Sequence, residues 1–433
     1  MTSKGRFQFL KSRVAVAGLS AMLTLFVAVV AINLVPGEKR LEHAVAAPYA
    51  VRDEAFARAM GTLFGPPLVA GNRVEPLENG AQIFPAMLAA IHAARRSVNF
   101  ETYIYWSGRV GTAFADALAD RARAGVPVHL ILDAVGSGKI DASALKTMQA
   151  AGVEIERYHA PSWRTLDRLN NRTHRKLLIV DGRVGFTGGV GIADKWDGNA
   201  DSPDHWRDSH FRLEGPAVAE MQATFVDHWV ATRGVLLQGE DYFPALAAAG
   251  DMRAQMIRSS VEDSAESVHI LYLLSIAAAR KSILLSNSYF VPDQLTTAAL
   301  VAAQRRGVDV QIIVPGPDID SGMTRAASRR EWGPLLKAGI AIYEFQPTMF
   351  HCKVVVVDDV WISIGSTNFD SRSFRLNDEA NLNVFDSNLA ARERRTFDAD
   401  RASAHRITLE EWSARPRWQR FKEWLADGLR SQL

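Results

Sequence analysis

The first strong pattern along the chain is a run without charge. Val14 to Val35 carries no Asp, Glu, Lys or Arg, and Pro36 follows it. The run is 22 residues long, and a helix needs about 20 to cross a bilayer. The flank before it holds Lys4, Arg6, Lys11 and Arg13 and no acid. A secretory signal would carry a shorter apolar stretch, about 7–15 residues. Its candidate cleavage site, Ala44-Val45-Ala46, lies beyond Glu38, Lys39, Arg40 and Glu42, far past the run. The pattern predicts a retained single-pass anchor. The basic excess before the run predicts a cytoplasmic N-terminus, with the body on the outer side of the cell (inner) membrane.

The remainder reads as one unit written twice. Ala94-Arg95-Arg96-Ser97-Val98 leads into a β-prone run, as does Ala279-Arg280-Lys281-Ser282-Ile283. Each is followed by an Ala-rich helical stretch, then a glycine and a strand, beginning at Gly125-Val126 and at Gly307-Val308. A second helix closes at Ala151-Gly152-Val153 and at Ala338-Gly339-Ile340. The offsets between copies are 185, 182 and 187 residues. Alternating strands and helices, with continuous apolar strands such as Val354 to Val357, predict an α/β fold with both sheet faces covered. The expectation is two repeated mixed-sheet α/β halves packed as a pseudo-two-fold pair, with the active site between them, plus the N-terminal transmembrane helix. Residues 1–40 are assigned to the basic flank and anchor, 41–80 to a linker, 81–235 to the first repeat and 236–264 to a second linker. Residues 265–433 form the second repeat and a helical tail. In that tail Trp418, Phe421, Trp424, Leu425 and Leu429 share one helix face. Because the polar face is not markedly basic, this face is expected to pack on the body rather than lie on a membrane.

Composition narrows the function. With 50 basic against 48 acidic residues the net charge is +2, which argues against a nucleic-acid coat built on bulk charge. The single cysteine, Cys352, excludes an intrachain disulfide and a cysteine zinc cage.

The chemistry sits at matched places in the two copies. The first reads His174-Arg175-Lys176 and continues to Asp181 and Gly188-Gly189; the second reads His351-Cys352-Lys353 and continues to Asp358 and Gly365-Ser366. Both follow H-x-K-x4-D-x6-G-[GS]. On a strand, residues two apart share a face, so each His and Lys point the same way and Cys352 points away into the core. A lysine in an otherwise apolar strand calls for a compensating anion. A third strand of each copy is read as carrying this motif. A phosphodiester suits the set: Lys176 and Lys353 as point charges, Asn368 as a donor, Gly188-Gly189 as a close backbone approach, one imidazole as nucleophile and the other as acid and base. Motif symmetry does not choose between the histidines. Asp181 and Asp358 belong to the signature but fall on the opposite strand face or in the following turn, and are expected to be mainly structural.

With these residues the sequence resembles the phospholipase D superfamily, from about Gln82 to Asp386. Glu101-Thr102-Tyr103-Ile104, Trp206-Arg207-Asp208-Ser209-His210, Asn287-Ser288-Tyr289-Phe290, Gly365-Ser366-Thr367-Asn368-Phe369-Asp370 and Asn377-Asp378-Glu379 resemble its bacterial cardiolipin synthase branch. The resemblance implies His174 as nucleophile and His351 as acid/base. It also implies Asp208 and Glu379 as the acids that orient the imidazoles; Asp208 lies 34 residues after His174, and Glu379 lies 28 after His351. Copy one has Gly191 where copy two has Asn368, so the site is asymmetric. The implied activity is transfer of phosphatidyl between phospholipids, most naturally from a donor to phosphatidylglycerol to give cardiolipin. Hydrolysis by water, as a phospholipase or metal-independent nuclease, is the alternative, and a non-catalytic membrane scaffold a third. No cofactor or metal is expected, and no nucleic-acid partner in the leading reading. Tyr103, Tyr105, Trp106, Trp163 and Tyr289 are candidates for a lipid-facing entrance or for ordinary core. Arg325 and Arg372 are candidates for a second phosphate or for salt bridges, and His159, His205 and His210 are assigned no role.

Overall fold

The computed structural model describes residues 3–34, 41–160, 170–260, 266–428 and 430–432. Trp163 and Leu429 lie outside them. One helix, Ser3–Leu34, carries the uncharged run. Its stretch Ala15–Ile32 is long and apolar enough to cross a membrane and has none of its residues buried against the body.

The body is organised by a 16-stranded sheet in which the strand order of one half mirrors that of the other, apart from an added edge strand, Ala404–Ile407, beside Ala341–Phe345 in the second half. In the first half, Val98–Thr102, Val128–Asp133 and Glu154–Tyr158 run parallel, linked by the helices Arg109–Arg123 and Ala142–Ala151. The motif strand Leu177–Val180 then pairs antiparallel with Val98–Thr102, and Val184–Gly188 and Ser209–Glu214 follow as a meander. The second half repeats this with Ser282–Asn287, Asp309–Pro315 and Ala341–Phe345, then Lys353–Val357, Trp361–Gly365 and Asn377–Phe385. The sheet is therefore mixed in each half, as expected. The motif leads into a strand that follows three parallel strands rather than two, and its His lies ahead of that strand: His174 and Lys176 stand in the irregular segment before Leu177–Val180, and His351 stands just before Lys353–Val357. The extra strand, Glu154–Tyr158 or Ala341–Phe345, directly follows the second helix and is short.

Both stretches read as linkers contain sheet strands. Val69–Glu78 and Met252–Ser259 pair with each other at the centre, with Val69 opposite Ala254 and Asn72 opposite Met252. Each also pairs within a half, against Ser209–Glu214 and Asn377–Phe385. Val69–Glu78 is broken by Gly71 and Pro76 and Met252–Ser259 by Arg253, Gln255 and Arg258, so neither reads as a core strand; antiparallel pairing on both sides makes them strands regardless. The helix Glu54–Phe64, also in the first presumed linker, buries Phe56 and Met60 in the core of the second half.

Strand alternation separates two kinds of core. Along Lys353–Val357, Val355 and Val357 face the helices of their own half, whereas Val354 and Val356 join a core shared with Leu177, Ile179, Phe211 and Leu213 of the other half. Cys352 shares the parity of Val354 and lies in the shared core. The halves are thus joined by sheet and by packing, which fixes the ends of the two motif strands relative to each other.

The tail departs from expectation. In Arg417–Asp427 the buried residues are Glu423 and Ala426, while Trp418, Phe421, Trp424 and Leu425 are 61%, 58%, 56% and 53% exposed. Glu423 is drawn inward by its ion pair with buried Arg415, at 3.0 Å, which turns the apolar face to the outside.

Candidate active site

The motifs are placed by backbone bonds that cross between halves. The His174 amide donates to the Asp378 carbonyl at 2.9 Å, and the His351 amide to the Arg207 carbonyl at 2.7 Å. Beside the first, Arg172–Thr173 pairs in parallel with Asn377 and Asp378. Each acceptor carbonyl immediately precedes an orienting acid. As a result the acids are exchanged between copies: both Glu379 oxygens lie 3.0 Å from His174 Nδ1, and Asp208 Oδ2 lies 2.8 Å from His351 Nδ1. Counting along the chain sets each acid beside the histidine of its own copy; the fold gives it to the other. With Nδ1 committed to a carboxylate, each ring presents Nε2 as the reactive nitrogen.

The lysines stand beside the rings. Lys176 Nζ donates to the His174 carbonyl at 2.9 Å. Lys353 Nζ donates to the His351 carbonyl and to Ser288 Oγ, both at 2.8 Å, and lies 3.3 Å from His351 Nε2. Ser288 in turn donates to Asn368 Oδ1 at 2.7 Å. The acceptor end of Asn368 is thereby occupied, which leaves its NH2 for an anion.

Electrostatics prepares the site for a negative ligand. Burial, with the neighbouring lysines, pushes His174 down to about 4 and His351 down to about 3, so both rings are neutral at rest. Burial, then repulsion from Lys353, brings Lys176 down to about 7, and burial lowers Lys353 also. Burial opposes ionisation of Asp208 and Glu379, yet their histidines and lysines hold both carboxyls below the usual range. Two crowded ammonium groups relax when a phosphodiester anion sits between them.

The asymmetry has a structural cause. Ser366 donates to Glu379, but its counterpart is Gly189, where a Cβ would fall 2.2 Å from Asp208 Oδ1. There Trp196 Nε1 takes the serine's part, donating to Asp208 Oδ2 at 2.8 Å. The indole also occupies the space that a side chain at Gly191 would need, 3.1 Å from its Cβ position. Gly188 and Gly189 therefore make room for His210 and Asp208 and do not line the cleft, which corrects their expected role as a phosphate cradle.

These groups open into a cleft of about 490 Å³ that both motifs share. His174, Lys176, His351 and Asn368 line it, and so do Tyr103, Trp106 and Tyr289, three of the aromatics read as entrance or core. Lys353 stands just behind, through Ser288. Tyr105 is core: it is fully buried, and its hydroxyl donates to the Gly111 carbonyl at 2.8 Å. Asp181 and Asp358 sit at the far end of the motif strands with positive φ of 54° and 53°. Each carboxylate accepts three backbone N–H groups, from Arg95, Arg96 and Ser97 or from Arg280, Lys281 and Ser282. Neither reaches the cleft. Arg372 lines it, but Arg325 turns away to Glu344, at 2.8 Å.

Sequence reasoning gave no role to Trp196, Trp206, Asn377 or Arg172. The two tryptophans wall His351, at ring distances of 5.3 and 5.5 Å, and Asn377 donates to Glu379 at 3.2 Å. Only Arg172 had a legible signal: it precedes His174 by two residues, the same spacing that separates His174 from Lys176, and all three line the cleft.

A family profile described as cardiolipin synthase, PLD-like domain, matches residues 87–229 and 272–401, one segment in each half of the sheet. The chain belongs to this phospholipase D-like family. It is 34% identical to cardiolipin synthase 1 of Bacillus cereus over 372 residues, covering 84% of this chain and 73% of that one. It is also 34% identical to cardiolipin synthase A of Pseudomonas fluorescens, over 82% of this chain and 74% of that one. Among solved structures, phosphatidylserine synthase of Haemophilus influenzae superposes with a TM-score of 0.63 at 14% identity, covering 87% of this chain and 99% of that one. At that identity the likeness speaks for the family's fold alone.

Proposed function

We propose that the chain transfers a phosphatidyl group from one phospholipid to the primary alcohol of phosphatidylglycerol, yielding cardiolipin. The observation that carries this reading is the pair of imidazoles in one cleft, each with Nδ1 held by a carboxylate from the opposite half. His174 Nε2 attacks phosphorus, and the bond to the donor's headgroup oxygen breaks. His351, neutral in the empty site, takes a proton on Nε2 as the phosphodiester anion enters beside it, and gives that proton to the departing alkoxide. The phosphatidyl group then resides on His174. His351 next takes the proton of the acceptor hydroxyl, whose oxygen attacks phosphorus; the P–N bond breaks and His174 is restored. Lys176 and Asn368 hold the non-bridging oxygens through both steps, with Lys353 behind them, through Ser288, adding positive charge. His174 is assigned the nucleophile's part by family resemblance. The bifurcated hydrogen bond from His174 Nδ1 to both Glu379 oxygens supports it, because a fixed carboxylate stabilises the ring as it gains positive charge.

Two arginines support an acceptor that is itself a phosphodiester. Arg172 and Arg372 both line the cleft, and burial, then the charge of Arg172, lowers the guanidinium of Arg372. Arg172 precedes His174 by two residues and lines the same cleft, which suits a lipid whose second phosphate is joined to the first by a glycerol bridge. The apolar helix Ala15–Ile32 supports a membrane anchor, and the basic residues before it support an N-terminus in the cytoplasm with the body on the outer side.

The test is to incubate the reconstituted chain with labelled phosphatidylglycerol and identify the products. A diphosphatidyl lipid with free glycerol is expected. Phosphatidic acid as the sole labelled product would mean hydrolysis, and absence of turnover would remove the catalytic reading.

A further inference from the structure

The exposed aromatic face of Arg417–Asp427 stands at the edge of the cleft. The helix packs against Gly322–Lys337 through Ala426 and the Arg330–Asp427 pair, at 3.0 Å. The first turn of Gly322–Lys337 separates two surfaces. Ser321 and Thr324 line the catalytic cleft, while Gly322 and Arg325 border a groove with Trp418 and Lys422. One helix width, about 10 Å, therefore lies between the aromatic face and the cleft mouth. Just beyond the helix, Gln432 lines the cleft itself and accepts from Asn170 at 2.6 Å.

The composition of the helix surface selects its partner. Trp418, Phe421, Trp424 and Leu425 project together, with Phe421 and Trp424 stacked at 5.9 Å. Among the charged residues, Glu423 and Asp427 are spent in ion pairs with Arg415 and Arg330. Arg417, Arg420 and Lys422 remain exposed, and Lys422 lies over the Trp418 ring at 4.8 Å. The outward charge is thus basic, and the expectation that this face lacks a basic border fails because its acids are turned inward. Indole rings with a basic border suit the headgroup layer of an anionic bilayer. The same chain carries a helix able to span a bilayer.

We infer that Arg417–Asp427 is an interfacial helix that rests its aromatic face in the anionic surface of the membrane and holds the cleft mouth against it. The helix has two effects. It fixes the body's orientation, which a single anchor leaves free to swivel, and it lets a phospholipid headgroup enter the cleft while its acyl chains stay in the bilayer. The inference rests on the reading that the cleft takes phospholipids.

The full-length chain, reconstituted in vesicles of phosphatidylglycerol and phosphatidylethanolamine, tests it. A polarity-sensitive dye is attached in a Trp424→Cys variant and, as control, in an Arg183→Cys variant at the far end of the first motif strand. Native Cys352 is buried with its thiol pushed up by burial, so it stays unlabelled. The dye at 424 should shift to the blue and be quenched by nitroxide lipids, while the control stays open to an aqueous quencher. An aqueous dye at 424, or crosslinking of the Trp424→Cys variant to a second copy, overturns the inference. In parallel, a Trp418→Ser/Phe421→Ser/Trp424→Ser variant should lose roughly tenfold or more in lipid turnover through misplacement of the substrate. Its cleavage of a water-soluble nitrophenyl phosphodiester should be unchanged. Unchanged lipid turnover overturns the inference. A wild-type chain that cleaves the soluble ester but no lipid overturns the functional reading instead.

Discussion

Exchange of the orienting acids makes a prediction that neither half alone would make. In a His351→Ala background the acid/base is gone, but a nitrophenolate leaves without a proton. A nitrophenyl phosphodiester should then give a burst of about one equivalent, limited by attack of the remaining histidine. Glu379→Gln in that background replaces the carboxylate that touches His174 Nδ1 through both oxygens at 3.0 Å. A hydrogen bond to a charged group is worth about 1.5–3 kcal/mol, which corresponds to roughly a ten- to hundred-fold slower burst. The amide can also present its NH2 to Nδ1 and select the wrong tautomer, so this range is a floor. Asp208→Asn in the same background should leave the burst rate unchanged, because the Asp208 contact to the reactive pair runs through His351, which is absent. Stopped-flow release of nitrophenol reads both rates. If Asp208→Asn slows the burst and Glu379→Gln does not, the crossed assignment is wrong.

Other outcomes are expected from the same geometry. Lys176, brought down to about 7, loses its charge as pH rises above that value in the free protein. Affinity for an unreactive alkyl phosphonate monoester, which carries one negative charge like a phosphodiester, should therefore fall by roughly tenfold per unit between pH 7.5 and 9, and calorimetry showing constant affinity over that range would contradict it. Asp358→Ala removes three acceptor bonds and leaves an alanine at positive φ. It should cost about 2–4 kcal/mol of stability by denaturant melts while sparing the burst per folded molecule. Arg372→Gln should raise KM for the acceptor lipid roughly tenfold or more with the nitrophenyl burst retained; an equal loss in both would mean that the arginine serves the reacting phosphate.

The repeat, the mixed sheet and the two His–Lys pairs were legible because each has a local cause. Apolar runs, Gly-terminated helices and the strand period act within a few residues. The site's asymmetry was half legible, since Gly191 opposite Asn368 shows in the sequence, but Trp196 sits in a short 3-10 turn, Asp194–Trp196, with no period to reveal where its indole goes. The carboxylate exchange was not legible, because it depends on which carbonyl caps each motif amide, and that is decided by how the halves dock. The central strands Val69–Glu78 and Met252–Ser259 were missed for the same reason: their partners are distant in the chain. In the tail the apolar period was read correctly, but its direction was not, because one buried Arg415–Glu423 pair sets which face turns inward.

The central claim is that His174 carries the phosphatidyl group between donor and acceptor. The most direct measurement is to quench the His351→Ala burst in alkaline denaturant, where phosphohistidine survives, and map the adduct by peptide mass. The account predicts one phosphodiester-derived adduct per chain, on the peptide that holds His174, and none in a His174→Ala/His351→Ala control. A burst with no adduct, or an adduct on any other residue that persists in that control, would contradict it.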